Sequence, residues 1–316
     1  VNALWSLLLA GTLVAWAVLD GANQGLGAQL RRLGRTPAER RTMLTALGPF
    51  LLAGEVWLVG AAGVLLAGYP RVEKDLWAAA YPLVVALLVA WVLRDAGVWL
   101  RSRRPGRRWR AGWEVVVVVA STALPAVAGA LLGAALTWLP GSGAGAAARV
   151  VVPLLLASAT VAGTRTLGAL LTARRTTGLL HGRAVDAAAA ALPWTAGLLA
   201  TSAAGWAVLV PSSGAARAVL ASTVLAAGAA CALLARRLLR AAPGRARALV
   251  AVAAASPLLA AGATLGPRLA DGSASGTTLA LVGPVLACAV PVLVAAQAWV
   301  WWTFRRPVGP RDAVFW

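Results

Sequence analysis

The sequence predicts an all-α, polytopic membrane protein with about nine transmembrane helices. Three observations carry that reading. Apolar residues make up 60% of the 316 positions and charged ones only 12%; long apolar runs recur along the whole chain; and the arginines fall in the gaps between those runs. A soluble domain carries closer to a quarter charged residues, so the composition excludes a water-soluble enzyme, and the mean hydropathy of +0.78 agrees. A membrane helix needs roughly 20 predominantly apolar residues. Runs of that kind lie near residues 3–19, 46–68, 76–100, 115–139, 147–171, 187–211, 216–239, 248–265 and 277–303. The first run lacks the basic n-region of a signal peptide and is followed by further spans, so it is expected to be a membrane helix. Residues 1–316 therefore read as a single integral membrane domain.

The gaps alternate in charge. Residues 20–45 carry five arginines, 101–113 six, 172–186 three, the stretch from Arg236 to Arg247 five, and the tail beyond 303 three. The intervening gaps are nearly bare: Arg71 and Lys74 are offset by Glu73 and Asp75, and Arg149, Arg217 and Arg268 are scattered singly. Short basic loops stay on the cytoplasmic side, so the chain is expected in the cell membrane with its N-terminus outside and its C-terminus cytoplasmic. Residues 20–45 read as a cytoplasmic loop holding a short interfacial helix, because Thr36-Pro37-Ala38-Glu39 combines a capping Thr, a Pro at the first helical position and a Glu three residues after the cap. Residues 101–113 read as a basic cytoplasmic loop turned by Pro105-Gly106, whose arginines are expected to meet anionic lipid headgroups.

The formal net charge of +19 invites a nucleic-acid reading. A nucleic-acid-binding face gathers its charges on one folded surface with aromatic or polar partners; here they flank lipid-embedded runs, so no nucleic-acid partner is expected. Trp109, Trp113, Trp138, Trp299, Trp301, Trp302 and Trp316 lie near span ends, where the amphipathic indole is favoured. Runs such as Ala128-Gly129-Ala130-Leu131-Leu132-Gly133-Ala134-Ala135 supply the small residues that let membrane helices approach closely.

Side chains able to ligate haem iron are scarce: one His, one Met, two Cys and two Tyr. His181 falls in a basic gap and Met43 just before the second span, so neither is expected to hold iron, and no cofactor-binding or metal-binding residue is expected on this chain. Walker A, dinucleotide and His-Glu-x-x-His patterns are missing from the sequence. The informative charges are those inside or bordering the spans, where ionisable groups are costly. Glu55 lies within the second span and reads either as a neutral or hydrogen-bonded group tying two helices or as a group with a proton-relay or quinone-side role. Asp20 closes the first span, and Arg94-Asp95 sit near the end of the third. Adjacent helical residues point in different directions, so Arg94 and Asp95 are expected to have separate partners. Glu114 opens the fourth span, where a helix N-terminus favours an anion, and reads as a cap. Arg165, inside the fifth, is expected to pair with an acid or to snorkel.

An ordered set of segments carries a resemblance. These are Asp20-Gly21-Ala22-Asn23-Gln24-Gly25-Leu26-Gly27, Glu39-Arg40-Arg41, Gly48-Pro49, Glu55-Val56-Trp57-Leu58, Leu93-Arg94-Asp95, the run from Trp109 through Trp113 to Pro125 and Gly133, and Gln297-Ala298-Trp299-Val300-Trp301-Trp302-Thr303-Phe304-Arg305. Together they resemble subunit II of the cytochrome bd family of quinol oxidases. The resemblance implies two four-helix bundles plus a peripheral helix. It also implies a haem-bearing subunit I as partner, holding the b-type and d-type haems and oxidising menaquinol or ubiquinol. Small accessory membrane subunits and a structural quinone or lipid belong to the same expectation. On this chain it implies no catalytic residue. Asp20, Asn23, Glu55, Arg94 and Asp95 are the candidates for a proton route or buried polar support.

Two departures from the family pattern stand out. Asn23 occupies a position where the family commonly has an acid. Gly48-Pro49-Phe50-Leu51-Leu52-Ala53-Gly54-Glu55-Val56-Trp57 replaces the family's Gly-Pro-x-Trp-Asp-Gly-Asn-Glu/Gln-Val-Trp, so Leu52 takes the place of its buried Asp. Asp20 and Glu55 are then expected to be separated by Leu52 and its neighbours and bridged by ordered water. The resulting expectation is a divergent subunit whose proton route is shifted or lost and whose dominant task is scaffolding. Two other readings stay open. One is a multispan transporter with helices broken at Pro82, Pro125, Pro153, Pro193, Pro257, Pro284 and Pro291 around a substrate, with Thr160, Thr164, Thr166 and Gln297 as its midspan polar residues. The other is a structural or assembly protein without oxidase activity.

Overall fold

The computed structural model describes residues 2–210, 215–309 and 312; Trp316, assigned to an interface from the sequence, lies outside them. Ten helices run in chain order: α1 (Asn2–Ala28), a single-turn α2 (Leu30–Leu33), α3 (Pro37–Gly68), α4 (Pro70–Leu100), α5 (Arg107–Thr137), α6 (Ala146–Arg175), α7 (Gly178–Leu209), α8 (Ala215–Leu238), α9 (Pro243–Asp271) and α10 (Gly276–Thr303). Among the described residues, nine are long and apolar enough to cross a membrane, and no strand forms beyond one isolated bridge between Thr176 and Val308.

The helices outrun the apolar runs that predict them. α1 continues through Asp20 to Ala28 and α3 already begins at Pro37, so the loop expected over 20–45 shrinks to the turn containing α2. The cap at Thr36 is real: its hydroxyl accepts from the Glu39 amide at 3.2 Å, and the Glu39 carboxylate accepts from the Thr36 amide at 3.0 Å. The helix it opens is α3 itself rather than a separate interfacial helix. The basic loop at 101–113 likewise contracts, because α5 starts at Arg107. The cause is the same in both places. Polar side chains in these stretches find buried partners on neighbouring helices, so the helix need not stop where the apolar run does.

Two four-helix bundles and one peripheral helix result. α1, α3, α4 and α5 form the first bundle and α6 to α9 the second; α10 leans on α3, where the Trp57 indole donates to the Gln297 side-chain oxygen at 3.0 Å. Leu279 is the buried residue of α10. α1 joins the bundles by crossing α6 at Gly25 and Gly168. A Cβ on Gly25 would collide with the Thr164 carbonyl and lie 2.9 Å from the Gly168 nitrogen; one on Gly168 would strike the backbone of Gly25 and Leu26. Backbone contact of this kind needs glycine on both helices. The Gln29 amide reinforces the crossing by donating to the Arg165 carbonyl at 2.8 Å.

The arginine-rich gaps gather at one end of the molecule. There Arg183 of α7 pairs with Glu39 of α3, Arg240 with Asp186, and Arg175 donates to the carbonyls of Phe304 and Arg306 while its own carbonyl accepts from Val308. At the opposite end the Ala274 amide donates to the Gly68 carbonyl and the Ser6 and Tyr69 hydroxyls meet at 2.8 Å. The prolines do not open the bundle. Pro125, Pro153, Pro193, Pro257, Pro284 and Pro291 sit inside helices that continue past them; the interior departure from helical geometry is at Ala80, just before Pro82 in α4.

Candidate functional site: a buried ion network

The five residues singled out from the sequence converge in the first bundle. Asp20 lies on α1 about 12 Å from its basic end at 1.5 Å per residue, facing α3 and α4. Arg94 reaches across from α4: one terminal nitrogen donates to both Asp20 carboxylate oxygens at 3.0 Å, and the other donates to Glu55 of α3. Its Nε donates to Asp95 at 3.0 Å. Asp20 and Arg94 are each 1% exposed and Glu55 7%, whereas the Asp95 side chain is about a quarter exposed at the edge of α4. One guanidinium thus faces three carboxyl groups.

Neutral donors complete the shell of Asp20. The Trp16 indole donates at 3.1 Å and the Gln24 amide at 2.8 Å to the same oxygen. The Asn23 amide nitrogen is 3.3 Å from the other oxygen and donates to the Phe50 carbonyl of α3 at 2.7 Å. The Asn23 side-chain oxygen is buried without a hydrogen-bond partner among the described residues. Gly54 makes the approach of α3 feasible, since a Cβ there would come within 2.8 Å of the Asn23 amide nitrogen and 3.0 Å of Asp20.

Several expectations are corrected by this geometry. Asp20 and Glu55 are not divided by Leu52 and a water-filled gap: Leu52 is 63% exposed on the outer face of α3, and the Arg94 guanidinium spans the distance. Arg94 and Asp95 do pair with each other, because an arginine side chain is long enough to turn its Nε back although the two Cβ directions diverge. Glu114 is no cap. It lies two turns into α5, 3% exposed, and accepts from Arg101 at 2.8 and 3.0 Å, with Arg40 at 3.0 Å on its other oxygen. This second cluster has the inverse composition, two guanidiniums on one carboxylate.

Trp16 and Gln24 escaped the sequence reading, and their signal was present: they stand four residues before and after Asp20, on the same helical face. Ending the helix near residue 19 hid that spacing. The residues with iron-binding atoms are dispersed. His181 Nδ1 lies 2.7 Å from the Ala173 carbonyl at the α6–α7 turn, Met43 is fully buried at the start of α3, Cys231 is half-buried on α8 and Cys288 exposed on α10. Among the described residues no three His, Cys, Asp or Glu side chains assemble as a metal site.

Fold and site together define a multispan helical membrane protein with a buried ion network inside its first bundle. A family model described as cytochrome bd terminal oxidase subunit II matches residues 1–304, and the chain belongs to that family. It is 33% identical over 137 residues to the cytochrome bd-I ubiquinol oxidase subunit 2 of Escherichia coli strain K12, covering 43% of this chain and 36% of that protein. To the cytochrome bd ubiquinol oxidase subunit 2 of Bacillus subtilis it is 32% identical over 131 residues, 42% of this chain and 39% of that one. These matches span less than two-fifths of each relative's length. The fold is shared more widely: a chain in the bd oxidase structure from Geobacillus thermodenitrificans superposes with a TM-score of 0.69 over 96% of this chain and 98% of that one, at 12% identity.

Proposed function

We propose that this chain is the haem-free partner of a haem-bearing subunit in a bd-type quinol:dioxygen oxidoreductase, and that its Asp20–Arg94–Glu55–Asp95 network both anchors the first bundle and handles protons. The network is the observation that carries the reading. Ionisable groups this deep in a membrane bundle are costly, and a purely structural tie through Arg94 of α4 needs only one carboxylate from each of α1 and α3. Here three carboxyls share one, and the cluster is electrically neutral when it holds two protons in addition to those on Arg94. Carboxyls gain and lose protons; Arg94 stays charged and fixes their positions. The partly exposed Asp95 offers an entry from the edge of α4, and the unsatisfied Asn23 oxygen supplies an acceptor for a water beside Asp20.

In this reading the haems and the quinol, menaquinol or ubiquinol, sit on the partner. The donor set of this chain does not fit an iron, because its His, Met and Cys side chains are spread over four different helices, α3, α7, α8 and α10. Reduction of dioxygen at the partner's haems consumes protons, and this chain's share is to deliver or store them while holding the partner in place. The exposed apolar faces of α4 and α10 leave room for that partner, for accessory subunits and for lipid. The basic end faces the cytoplasm by the positive-inside rule, with the N-terminus outside and its loop arginines on anionic headgroups. A transporter reading has less support: the hydroxyls of Thr160, Thr164 and Thr166 are taken up by carbonyls of their own helix, and Gln297 is engaged by Trp57.

The test replaces Glu55 by Gln or Ala in the purified complex and measures assembly and quinol-dependent oxygen uptake separately. A fall in turnover with assembly intact supports proton handling. Unchanged turnover in both variants ends that part of the proposal and leaves the anchoring role.

A further inference from the structure

Among the described residues, Arg165 has no counter-charge. It lies on α6 ten residues before the helix ends, about 15 Å from the basic end. A centred helix of this length, about 45 Å, overhangs a hydrocarbon layer of about 30 Å by roughly 7 Å at each end, which puts the Arg165 backbone below the headgroup boundary. Its guanidinium forms no salt bridge among the described residues, and its Nε is buried without a hydrogen-bond partner. An intramembrane cation in that position pairs with an anion or a backbone carbonyl, snorkels to the interface or lines a cavity.

Such a cavity is present. A groove of about 550 Å³ runs over α6 between α5 and α7, within the range of clefts that hold ligands. Arg32 of α2 and Arg165 line one end, and Ala126, Ala157, Ala190 and Trp194 supply its walls. No carboxylate lines it. Small alanines line the groove, and Trp194, 73% exposed, borders it. Two unbalanced guanidiniums above an apolar trough are complementary to an amphiphile with an anionic head.

We propose that this groove is a binding site for a phospholipid of net negative charge, its phosphodiester between Arg32 and Arg165 and one acyl chain laid along α6. A zwitterionic lipid carries its own cation and leaves the excess positive charge uncompensated, and a free phosphate makes no use of the apolar walls. The site does not depend on the oxidase reading, because neither arginine belongs to the Asp20 network.

The protein, purified with whatever partner chain it carries, is titrated with phosphatidylglycerol and, separately, phosphatidylcholine, and bound lipid is counted by native mass spectrometry. Phosphatidylglycerol should bind preferentially. The combined Arg32→Gln and Arg165→Gln variant should lose about tenfold or more of that affinity, while Arg71→Gln with Lys74→Gln, an equal loss of exposed charge at the opposite end of the molecule, should change it less than about twofold. Ala190→Trp, which fills the trough and keeps both arginines, should weaken binding of both lipids. The single arginine variants and Ala190→Trp read the two halves of the site independently should the double variant fail to fold. Equal binding of the two lipids, undiminished phosphatidylglycerol binding in the arginine variants, or displacement of the lipid by inorganic phosphate would each overturn the proposal.

Discussion

The two bundles have the same number of helices and opposite interiors. In the first, buried Asp20, Asn23, Glu55, Arg94, Arg101 and Glu114 bond from helix to helix. In the second, away from its basic end, the buried polar side chains are hydroxyls, and Thr172, Ser202 and Ser256 donate to carbonyls within their own helices. The cross-helix hydroxyl contact there is Thr166 with Thr195 at 2.9 Å. The remaining interior is Ala, Leu and Val with Trp206. A bundle can therefore be held in lipid by small-residue packing alone, and the ion network of the first is more than packing requires.

The sharpest way to break this contrast is Arg94→Met. Removing the cation leaves Asp20 and Glu55 facing each other in the bundle interior, a change that costs about 3–5 kcal/mol for a buried pair, and the yield of assembled complex should collapse on size-exclusion chromatography. Glu114→Gln should come next: Arg40 and Arg101 lose their shared carboxylate at a cost of about 3 kcal/mol, seen as a lowered unfolding temperature, while turnover per assembled complex stays at the parental level. Glu55→Gln separates the clusters in the other direction. It leaves Arg94 with Asp20 and Asp95 as counter-charges, so the unfolding temperature should hold, but oxygen uptake should fall about a hundredfold if the carboxyl passes protons. Thr195→Val in the second bundle should be mildest, about 0.6 kcal/mol, measured by thermal unfolding. A second-bundle substitution as damaging as Arg94→Met would erase the distinction.

Much of the site was legible in advance because charge inside an apolar run is conspicuous. Asp20, Glu55, Arg94 and Asp95 were identifiable on that ground, and Asn23 by its position in a motif. Their convergence was not legible, since nothing local says that α1, α3 and α4 meet at these levels. Glu114 was misjudged for a related reason. A carboxylate near the start of an apolar run satisfies the capping rule equally well, and only the arrival of Arg40 and Arg101 from two other elements distinguishes the cases. The loop at 20–45 failed because hydropathy marks where lipid begins, whereas a helix ends where its backbone and polar side chains run out of partners.

The sequence by itself determined the number of spans, the helical class and the segregation of arginines to alternate gaps, because lipid leaves an isolated segment no other way to satisfy its backbone. Only the tertiary structure decided which charges are neighbours: three carboxyls around Arg94, two guanidiniums around Glu114, and, among the described residues, no carboxylate paired with Arg165. Hydrophobic length is a property of each segment alone, but the balance of a buried charge is a property of the helices that surround it.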